Sequence, residues 1–289
     1  MIKNILILYM KGVCASCVSF DINRVVKSND SLKPSWLQTH DYVESFIHNQ
    51  SNFKIRQPKN SNTKVDLHLK QAANKKILYW AAKPKKHNNI ITNEAKEAYG
   101  NFSNHGVAKC DAQGNVTVSI CFPQIYSTIP KHHKQPQTFH PHIHFVVANH
   151  DETQWLSQIY TKILIRNLSF EETMTRHRCH GLYVLLNTLP CSYYAKDHIP
   201  NSYNLPVNSI KKMDRNELFR WFLEVAEKHY DGLYQLLKTK KIDIYEIPII
   251  CYCAHEKCNA SQLASEELIK KGFVNVSIYE GGMLEYNKY

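Results

Sequence analysis

A cysteine stands where an apolar, β-prone run ends and a helix-forming segment begins. Cys253 closes the run of residues 247–253, and a polar loop of residues 254–260 leads into a helix predicted over residues 261–271. In an open α/β sheet, ligands bind at the carboxyl ends of the strands, where the following helix offers unpaired N–H groups. A thiolate placed there has a lowered pKa and attacks as a nucleophile near neutral pH. Cys253 is therefore either a catalytic nucleophile or an inert buried thiol.

The loop after Cys253 supplies the groups that would surround a substrate, because a developing negative charge needs a cradle of N–H groups. The predicted substrate-binding residues are Ala254, His255, Glu256, Lys257, Cys258, Asn259 and Ala260. Among them, only His255 and Lys257 bring a cationic side chain. Cys258 is either a thiol that resolves an oxidised or persulfidated Cys253 as an internal disulfide, or a packing residue. Cys251 shares a sheet face with Cys253 and is expected in the core.

Three histidines alternate between residues 139 and 145. His140, His142 and His144 fall on one face if the segment is a strand, because side chains on a strand repeat every two residues. Three imidazoles that converge in this way suit Zn, Fe or Cu. A solvated polar face is the alternative interpretation.

The nine cysteines of a chain without an export signal are expected to be mostly reduced thiols. Cys14 and Cys17 lie between a predicted strand and a predicted helix, which is the placement of a thioredoxin-type dithiol. Two zinc ligands with partners elsewhere in the chain, or two ordinary thiols near a terminus, fit the same spacing.

The first half of the chain reads as a helix followed by short strands separated by turn signals. The helix is predicted over residues 41–48, and the strands over residues 75–82, 106–110, 115–122 and 142–148. This spacing is typical of an antiparallel sandwich or barrel. A further helix is predicted over residues 151–165.

The second half alternates helix and strand. Ser169 opens a helix with a capping-box pattern that includes Glu172. Strands are predicted over residues 181–186, 247–253 and 274–279, and further helices over residues 216–237 and 261–271. Such alternation predicts a parallel sheet with helices on both faces.

Charge is distributed unevenly along the 289 residues. Up to residue 165 the chain has 20 Lys and Arg against 10 Asp and Glu, and from residue 166 onward it has 16 against 15. This difference predicts two domains, 1–165 and 166–289. The basic first domain either attracts nucleic acid or another polyanion, or simply has a solvated surface. The composition excludes a disordered, collagenous or small disulfide-stapled protein.

No apolar run reaches the roughly 20 residues that a membrane helix needs. We therefore expect a soluble cytoplasmic protein that makes no membrane contact, or one carried in the virion if an AT-rich virus encodes it.

Five pieces of the second half resemble the rhodanese-like family, in the family's order. They are residues 181–187, 198–206 (HIPNSYNLP), 249–253 (IICYC), 261–268 and 272–282 (GFVNVSIYEGG). The resemblance implies an α/β domain with a central parallel sheet and no required cofactor. It also implies that Cys253 accepts a sulfane sulfur as a persulfide and passes it to a thiol or to cyanide.

The loop departs from the family's common pattern at one position. Ala260 stands where that pattern has an arginine before the serine, here Ser261, although residues 258–261 (CNAS) resemble a known branch of the family. Cysteine phosphatases built on the same fold need that arginine to clamp a phosphate. The loop therefore favours sulfur transfer over phosphatase activity. The missing arginine puts the affinity for substrate in doubt, rather than the nucleophile.

A shorter stretch of the first half, residues 110–144, is similar to the intradiol dioxygenases. Those β-sandwich enzymes bind non-haem iron through two tyrosines and a His-x-His pair. The resemblance implies Tyr126, His142 and His144 as metal ligands, with Tyr79 or Tyr99 as the second tyrosine. His140 replaces the arginine that usually precedes the Pro-x-His-Ile-His segment.

These observations together predict a two-domain α+β protein: a mainly β, sandwich-like N-terminal domain followed by an α/β rhodanese-like domain. The predicted function is sulfur transfer through Cys253, with a small sulfur donor and a thiol acceptor, including a protein thiol, as partners. The alternative is a non-catalytic rhodanese-like binding module attached to a metal-binding or polyanion-binding β domain. Fe or Zn is the expected metal of the first domain.

Overall fold

A computed structural model describes residues 25–27, 41–129, 134–179 and 181–289. Cys14 and Cys17 lie outside the described residues, so the interpretations of that pair stay predictions. The contacts divide the chain into two compact units. The first contains the described residues up to 85 and those of 93–164, and the second contains residues 86–92 and those from 165 to the end.

The first unit is built on an antiparallel sheet of five strands. In spatial order they are β1 (Val26–Lys27), β10 (Tyr160–Ile163), β9 (His142–Val147), β3 (Lys76–Ala81) and β5 (His105–Lys109). A two-stranded and a three-stranded sheet accompany it: β2 (Thr63–His68) with β6 (Asn115–Ile120), and β4 (Asn93–Glu94), β7 (Tyr126–Thr128) and β8 (Gln137–Phe139). The helices are α1 (Asp41–His48) and α2 (Ala95–Tyr99).

One apolar cluster packs the two-stranded sheet against the five-stranded sheet. Val65 of β2 and Val118 of β6 contribute to it, as do Ile143 and Phe145 of β9. Because side chains alternate along a strand, the even-numbered residues of β9 point to the opposite face of the sheet. All six residues of β9 are buried, so that opposite face is covered as well.

The helix predicted over residues 151–165 is wrong. Residues 160–163 form β10, which pairs with β9, and the Tyr160 ring stacks on the Phe145 ring with centroids 5.3 Å apart. Before β10, the Asn149 side chain accepts hydrogen bonds from the Thr153 and Gln154 N–H groups and holds a turn instead of a helix. Pairing with a buried strand outweighs a weak local preference for helix.

The second unit contains a parallel sheet of five strands, as the alternation of elements predicted. In spatial order they are β11 (Arg166–Asn167), β15 (Val276–Tyr279), β14 (Ile249–Tyr252), β12 (Val184–Asn187) and β13 (Tyr203–Asn204). The helices are α3 (Phe170–His177), α4 (Cys191–Tyr194), α5 (Val207–Lys212), α6 (Arg215–His229), α7 (Asp231–Lys238), α8 (Ala260–Lys270) and α9 (Gly282–Tyr286). In the part of the chain that the structure describes, no helix has the length and apolar character to cross a membrane.

In the second unit, the start of α3 lies where the sequence predicted it, whereas one predicted helix is interrupted. Ser169 caps α3 in a capping box with Glu172, as predicted. The single helix predicted over residues 216–237 is wrong, because Tyr230 separates α6 from α7 with φ −128° and ψ 69°. The Tyr230 hydroxyl donates to the Asn201 carbonyl and accepts from the Leu185 N–H, and these contacts hold the residue out of helical geometry.

Candidate functional site

Two buried elements position Cys253. β14 ends at Tyr252 in the middle of the parallel sheet, between β12 and β15, and α8 begins seven residues after Cys253, at Ala260. Cys253 is fully buried. The carboxyl end of a central strand therefore delivers the thiol to the start of the next helix, where the sequence placed it.

Tyr252 fixes the end of β14 against the segment of residues 198–206. Its hydroxyl oxygen lies 2.7 Å from the Ser202 Oγ and accepts a hydrogen bond from the Ile199 N–H at 3.1 Å. Its carbonyl accepts hydrogen bonds from the N–H and the hydroxyl of Thr188, both at 3.0 Å. These contacts hold the backbone immediately before Cys253 on both sides.

Polar groups of the loop and of α8 surround the Cys253 sulfur. The Sγ lies 3.2 Å from the Cys258 carbonyl oxygen and 3.4 Å from the Ser261 Oγ, and the Ser261 N–H donates to it. The Cys253 and Cys258 side chains also influence each other's pKa. The Cys253 sulfur thus lies between two carbonyl oxygens, of His255 and Cys258, which accept from its thiol, and the hydroxyl and N–H of Ser261.

The pKa values of the Cys253 and Cys258 thiols shift in opposite directions. Burial raises the pKa of Cys253 despite the hydrogen bonds from Ser261. Burial also acts to raise the pKa of Cys258, but donation by the Ala260 N–H, the Cys253 thiol and the Ala254 N–H outweighs it, so that pKa is lowered. A lowered pKa at Cys253 was the prediction from sequence. The surroundings of the loop instead favour ionisation of Cys258 over that of Cys253.

The opposite pKa shifts of the two thiols predict the order in which they react with an alkylating agent. A lowered pKa means that the Cys258 thiolate persists as the pH falls below the usual thiol range, about 8.5. Cys258 is also partly exposed, whereas Cys253 is buried. Iodoacetamide should therefore modify Cys258 before Cys253, as measured by peptide mass mapping across a pH series.

The Cys253→Ala variant provides the check on that explanation. It removes a hydrogen-bond donor to Cys258, so the pH midpoint for Cys258 alkylation should move upward. An unchanged midpoint would show that the Cys253 thiol does not stabilise the Cys258 thiolate.

Gly282 lets the last helix approach the backbone of the site. The Met283 and Leu284 N–H groups donate to the carbonyls of Cys253 and Ala254 at 3.0 and 2.8 Å. Gly282 has a φ of +57°, and a Cβ at this position would collide with the Cys253 carbonyl oxygen. Only glycine satisfies both requirements without strain.

The Gly282→Ala variant should therefore be destabilised, by about 3 kcal/mol in the free energy of unfolding. Gly281→Ala is the matched control, because Gly281 has helical geometry and the three atoms nearest to an added Cβ all belong to the Glu285 side chain, which can move. Urea denaturation of the two variants measures the difference. Equal destabilisation of both would contradict the proposed role of Gly282.

The predicted loop residues separate into two groups. Four of them contact the sulfur atoms: Ala254 and Ala260 through N–H groups, as does Ser261 of α8, and His255 and Cys258 through carbonyl oxygens. The other three, Glu256, Lys257 and Asn259, are exposed. Within the described residues, the structure shows no hydrogen bond from them to either sulfur atom. The sequence analysis identified Ser261 only as the start of the helix and missed its contact with the Cys253 sulfur. Its position directly after the loop, in the first turn of α8, was the available signal.

Comparison with known proteins agrees with this architecture. The family model of the rhodanese-like domain matches residues 176–289. This part of the chain is a rhodanese-like domain. Comparison with curated protein sequences finds no match.

Solved structures similar to this chain include two from Saccharomyces cerevisiae. An uncharacterised protein is 24% identical over 43% of this chain and 92% of its own, with a TM-score of 0.31. A single-domain sulfurtransferase is 19% identical over 43% of this chain and 90% of its own, with a TM-score of 0.30. A human single-domain sulfurtransferase is 17% identical over 43% of this chain and 97% of its own, with a TM-score of 0.30.

A cluster of tyrosine and histidine side chains that could bind a metal lies in the first unit, in residues that precede the rhodanese-like domain. Four donor atoms converge: the hydroxyls of Tyr99 and Tyr126, and the Nε2 atoms of His142 and His144. The Tyr126 hydroxyl lies 3.2 Å from that of Tyr99 and 3.0 Å from the His142 Nε2, which lies 3.0 Å from the His144 Nε2. The Tyr99 hydroxyl lies 3.4 Å from the His142 Nε2.

The outer nitrogen of each imidazole is fixed by a neighbour. The His142 Nδ1 lies 2.6 Å from the His140 carbonyl oxygen, and the His144 Nδ1 lies 2.6 Å from the Thr161 Oγ1. A carbonyl only accepts, so the His142 proton is on Nδ1 and its Nε2 lone pair faces the cluster. Burial lowers the pKa of His142 to about 4, so this ring is neutral at neutral pH.

The geometry corrects one interpretation of the histidines and decides between two tyrosines. His140, His142 and His144 are all buried, so a solvated polar face is wrong. His140 takes part through its backbone carbonyl. The Tyr79 hydroxyl lies instead 3.1 Å from the Ser119 carbonyl oxygen, so Tyr99 is the tyrosine at the cluster. Within the described residues, no group of three or more His, Cys, Asp or Glu could hold a metal, and here only two histidines meet.

Proposed function

We propose that the rhodanese-like domain transfers sulfane sulfur through a persulfide on Cys253. The observation that carries the proposal is the position of the Cys253 sulfur, at the end of the central strand and beside the hydroxyl and the N–H of Ser261 at the start of α8. A nucleophilic thiolate and a preorganised set of donors are the two things that the reaction needs.

The first step converts a thiol into a persulfide. Cys253 loses its proton, with Cys258 as the nearby thiol of lowered pKa that can accept it, and the Cys253 thiolate attacks the sulfane sulfur of the donor. With thiosulfate, a new S–S bond forms on Cys253, the donor S–S bond breaks and sulfite leaves. An acceptor thiol or cyanide then attacks the outer sulfur and restores the Cys253 thiolate. Because Cys253 is fully buried, the donor must displace part of the loop of residues 254–259 to reach it.

Neutral groups of the loop, rather than an arginine, face the negative charge of the donor. The N–H groups of Ala254, Ala260 and Ser261 supply partial positive charges, and Ala260 has no side chain that could clamp an anion. A dianion such as thiosulfate is therefore expected to bind weakly. Singly charged persulfide donors are expected to be better substrates.

The test of this proposal is whether the protein forms thiocyanate from thiosulfate and cyanide, and whether the reaction depends on Cys253. Absence of transfer from thiosulfate and from persulfide donors would favour the alternative, in which the rhodanese-like domain is a non-catalytic binding module.

The second candidate function belongs to the first unit, and the convergence of four donor atoms favours it. We propose that residues 1–165 and 166–289 are separate domains, and that Tyr99, Tyr126, His142 and His144 of the first bind one metal ion. Phenolate oxygen with imidazole nitrogen suits Fe(III) better than Zn, because phenolate is a hard anionic ligand. Such an ion would supply Lewis-acid or redox chemistry, and His140 and Thr161 would orient the imidazoles. A polyanion contact through the basic first domain stays a prediction.

A further inference from the structure

We propose that Cys258 is a resolving thiol, which attacks the Cys253 persulfide, closes a Cys253–Cys258 disulfide and releases sulfide. The inference rests on the proposed function, because it needs a persulfide on Cys253. It adds a second outcome for the bound sulfur besides transfer to an acceptor.

The first support is the geometry of the loop. The Cys258 backbone folds back over Cys253, so that its carbonyl oxygen lies 3.2 Å from the Cys253 Sγ. A hydrogen bond from the Cys258 N–H to the His255 carbonyl, 2.9 Å long, closes this turn. The side chains of the two cysteines also influence each other's pKa within this turn. The Cys258 backbone therefore already touches the sulfur atom that becomes the inner sulfur of a persulfide.

The second support is the difference in exposure between the two thiols. Cys253 is fully buried, whereas Cys258 is partly exposed. After the first step Cys258 carries the proton from Cys253, and exposure lets it lose that proton to water. The N–H groups of Ala260 and Ala254 then stabilise the thiolate that must attack.

The step balances in atoms and electrons. The Cys258 thiolate attacks the inner sulfur, the Cys258–Cys253 S–S bond forms, the bond to the outer sulfur breaks, and that sulfur leaves as hydrosulfide. The two cysteine sulfurs are oxidised to a disulfide, and the sulfane sulfur is reduced by two electrons to sulfide. An external thiol, such as a low-molecular-weight cellular thiol, must reduce the disulfide before the loop accepts sulfur again.

A resolving thiol limits how long a reactive persulfide stays in the loop. With an acceptor present, transfer of the outer sulfur competes with resolution. Without one, the loop releases its sulfur as sulfide and closes in a form that cannot accept more. The expected consequence is a domain whose activity depends on the supply of reducing thiol.

The experiment follows the loaded full-length protein after the donor has been removed. Wild type, Cys258→Ser and Cys191→Ser are loaded with excess polysulfide, desalted and followed by intact mass and by a sulfide assay. Wild type should lose the added sulfur, release one sulfide per chain and end two hydrogen atoms lighter than the reduced protein. Cys258→Ser should keep the added sulfur at least about tenfold longer, because its resolving nucleophile is gone.

Cys191 is the matched control, since it is an exposed free cysteine of the same unit and lies outside the loop. Cys191→Ser should behave as wild type. Trypsin cleavage after Lys257 separates Cys253 from Cys258, so the disulfide should appear as two peptides joined until a reductant is added. Tandem mass spectra of that species distinguish Cys253 from Cys251 as the partner.

The outcomes separate this inference from the proposed function on which it rests. If neither wild type nor Cys258→Ser takes up sulfur from any donor, the proposed function fails. If Cys258→Ser takes up sulfur, its loop is intact, and loss at the same rate as in wild type overturns the resolving role. Movement of the added sulfur from Cys253 to Cys258 in wild type, without sulfide release, also overturns it.

Discussion

Replacing Cys253 with serine should reduce thiocyanate formation from thiosulfate and cyanide by about 10³-fold or more, as expected for loss of a catalytic nucleophile. The serine hydroxyl fits the space of the thiol and can keep the contact with Ser261, so the fold should remain. It does not ionise near neutral pH and cannot carry a transferable sulfur atom. The assay is the initial rate of thiocyanate formation at saturating donor, and the Cys258→Ser variant should show the added sulfur by mass where Cys253→Ser does not.

Cys251 provides the matched control on the same strand. It lies two residues before Cys253, is fully buried, and burial raises its pKa to about 12, so it is not a nucleophile near neutral pH. Cys251→Ala should therefore keep most of the activity, provided that circular dichroism shows a folded protein. If Cys251→Ala lost as much activity as Cys253→Ser in a folded state, the assignment of the nucleophile would be contradicted.

The sequence was sufficient for the order of elements in the second unit, because each signal there was local. The apolar run that became β14, the capping box at Ser169 and the start of α8 each depend on neighbouring residues only. The break between α6 and α7 was missed because it depends on Tyr230, whose hydroxyl meets Asn201 and Leu185. Contacts over such distances in the chain leave no periodic pattern in the sequence.

The pKa shifts of the two loop thiols could not be predicted from the sequence either. A cysteine before a helix was expected to have a lowered pKa, and the helix start does supply N–H groups to the site. The direction at each sulfur depends on the balance between burial and hydrogen bonds, which the spacing does not reveal. Burial prevails at Cys253 and raises its pKa, whereas the hydrogen bonds to Cys258 outweigh burial there and lower its pKa.

The cluster of tyrosines and histidines in the first unit was also predicted only in part from the sequence. Alternation in residues 139–145 predicted that His140, His142 and His144 share one face; His142 and His144 do so because they lie in β9, whereas His140 precedes the strand. Spacing could not decide between Tyr79 and Tyr99, since both are buried tyrosines. The choice depends on helix α2, which brings the Tyr99 hydroxyl to 3.2 Å from that of Tyr126.

The metal proposal predicts that the full-length protein binds one Fe(III) ion per chain and gains a visible absorption band from charge transfer between phenolate and iron. Tyr99→Phe and Tyr126→Phe each remove one oxygen ligand while keeping the ring, so the packing should survive. Each should lower iron affinity by at least about tenfold, since even outer groups that only orient ligands contribute that much. Each should also shift or weaken the band.

Tyr79→Phe is the control that makes this result specific. Tyr79 is as buried as Tyr99, but its hydroxyl lies 3.1 Å from the Ser119 carbonyl oxygen, away from the histidines. It should therefore leave both the iron content and the absorption band unchanged. Elemental analysis after iron loading gives the stoichiometry, and the same protocol with zinc tests the preference of the donor set. If wild type retained neither metal, or if Tyr79→Phe lost iron as readily as Tyr99→Phe, the four side chains would form a hydrogen-bonded core cluster in which the Tyr126 hydroxyl donates to the His142 Nε2.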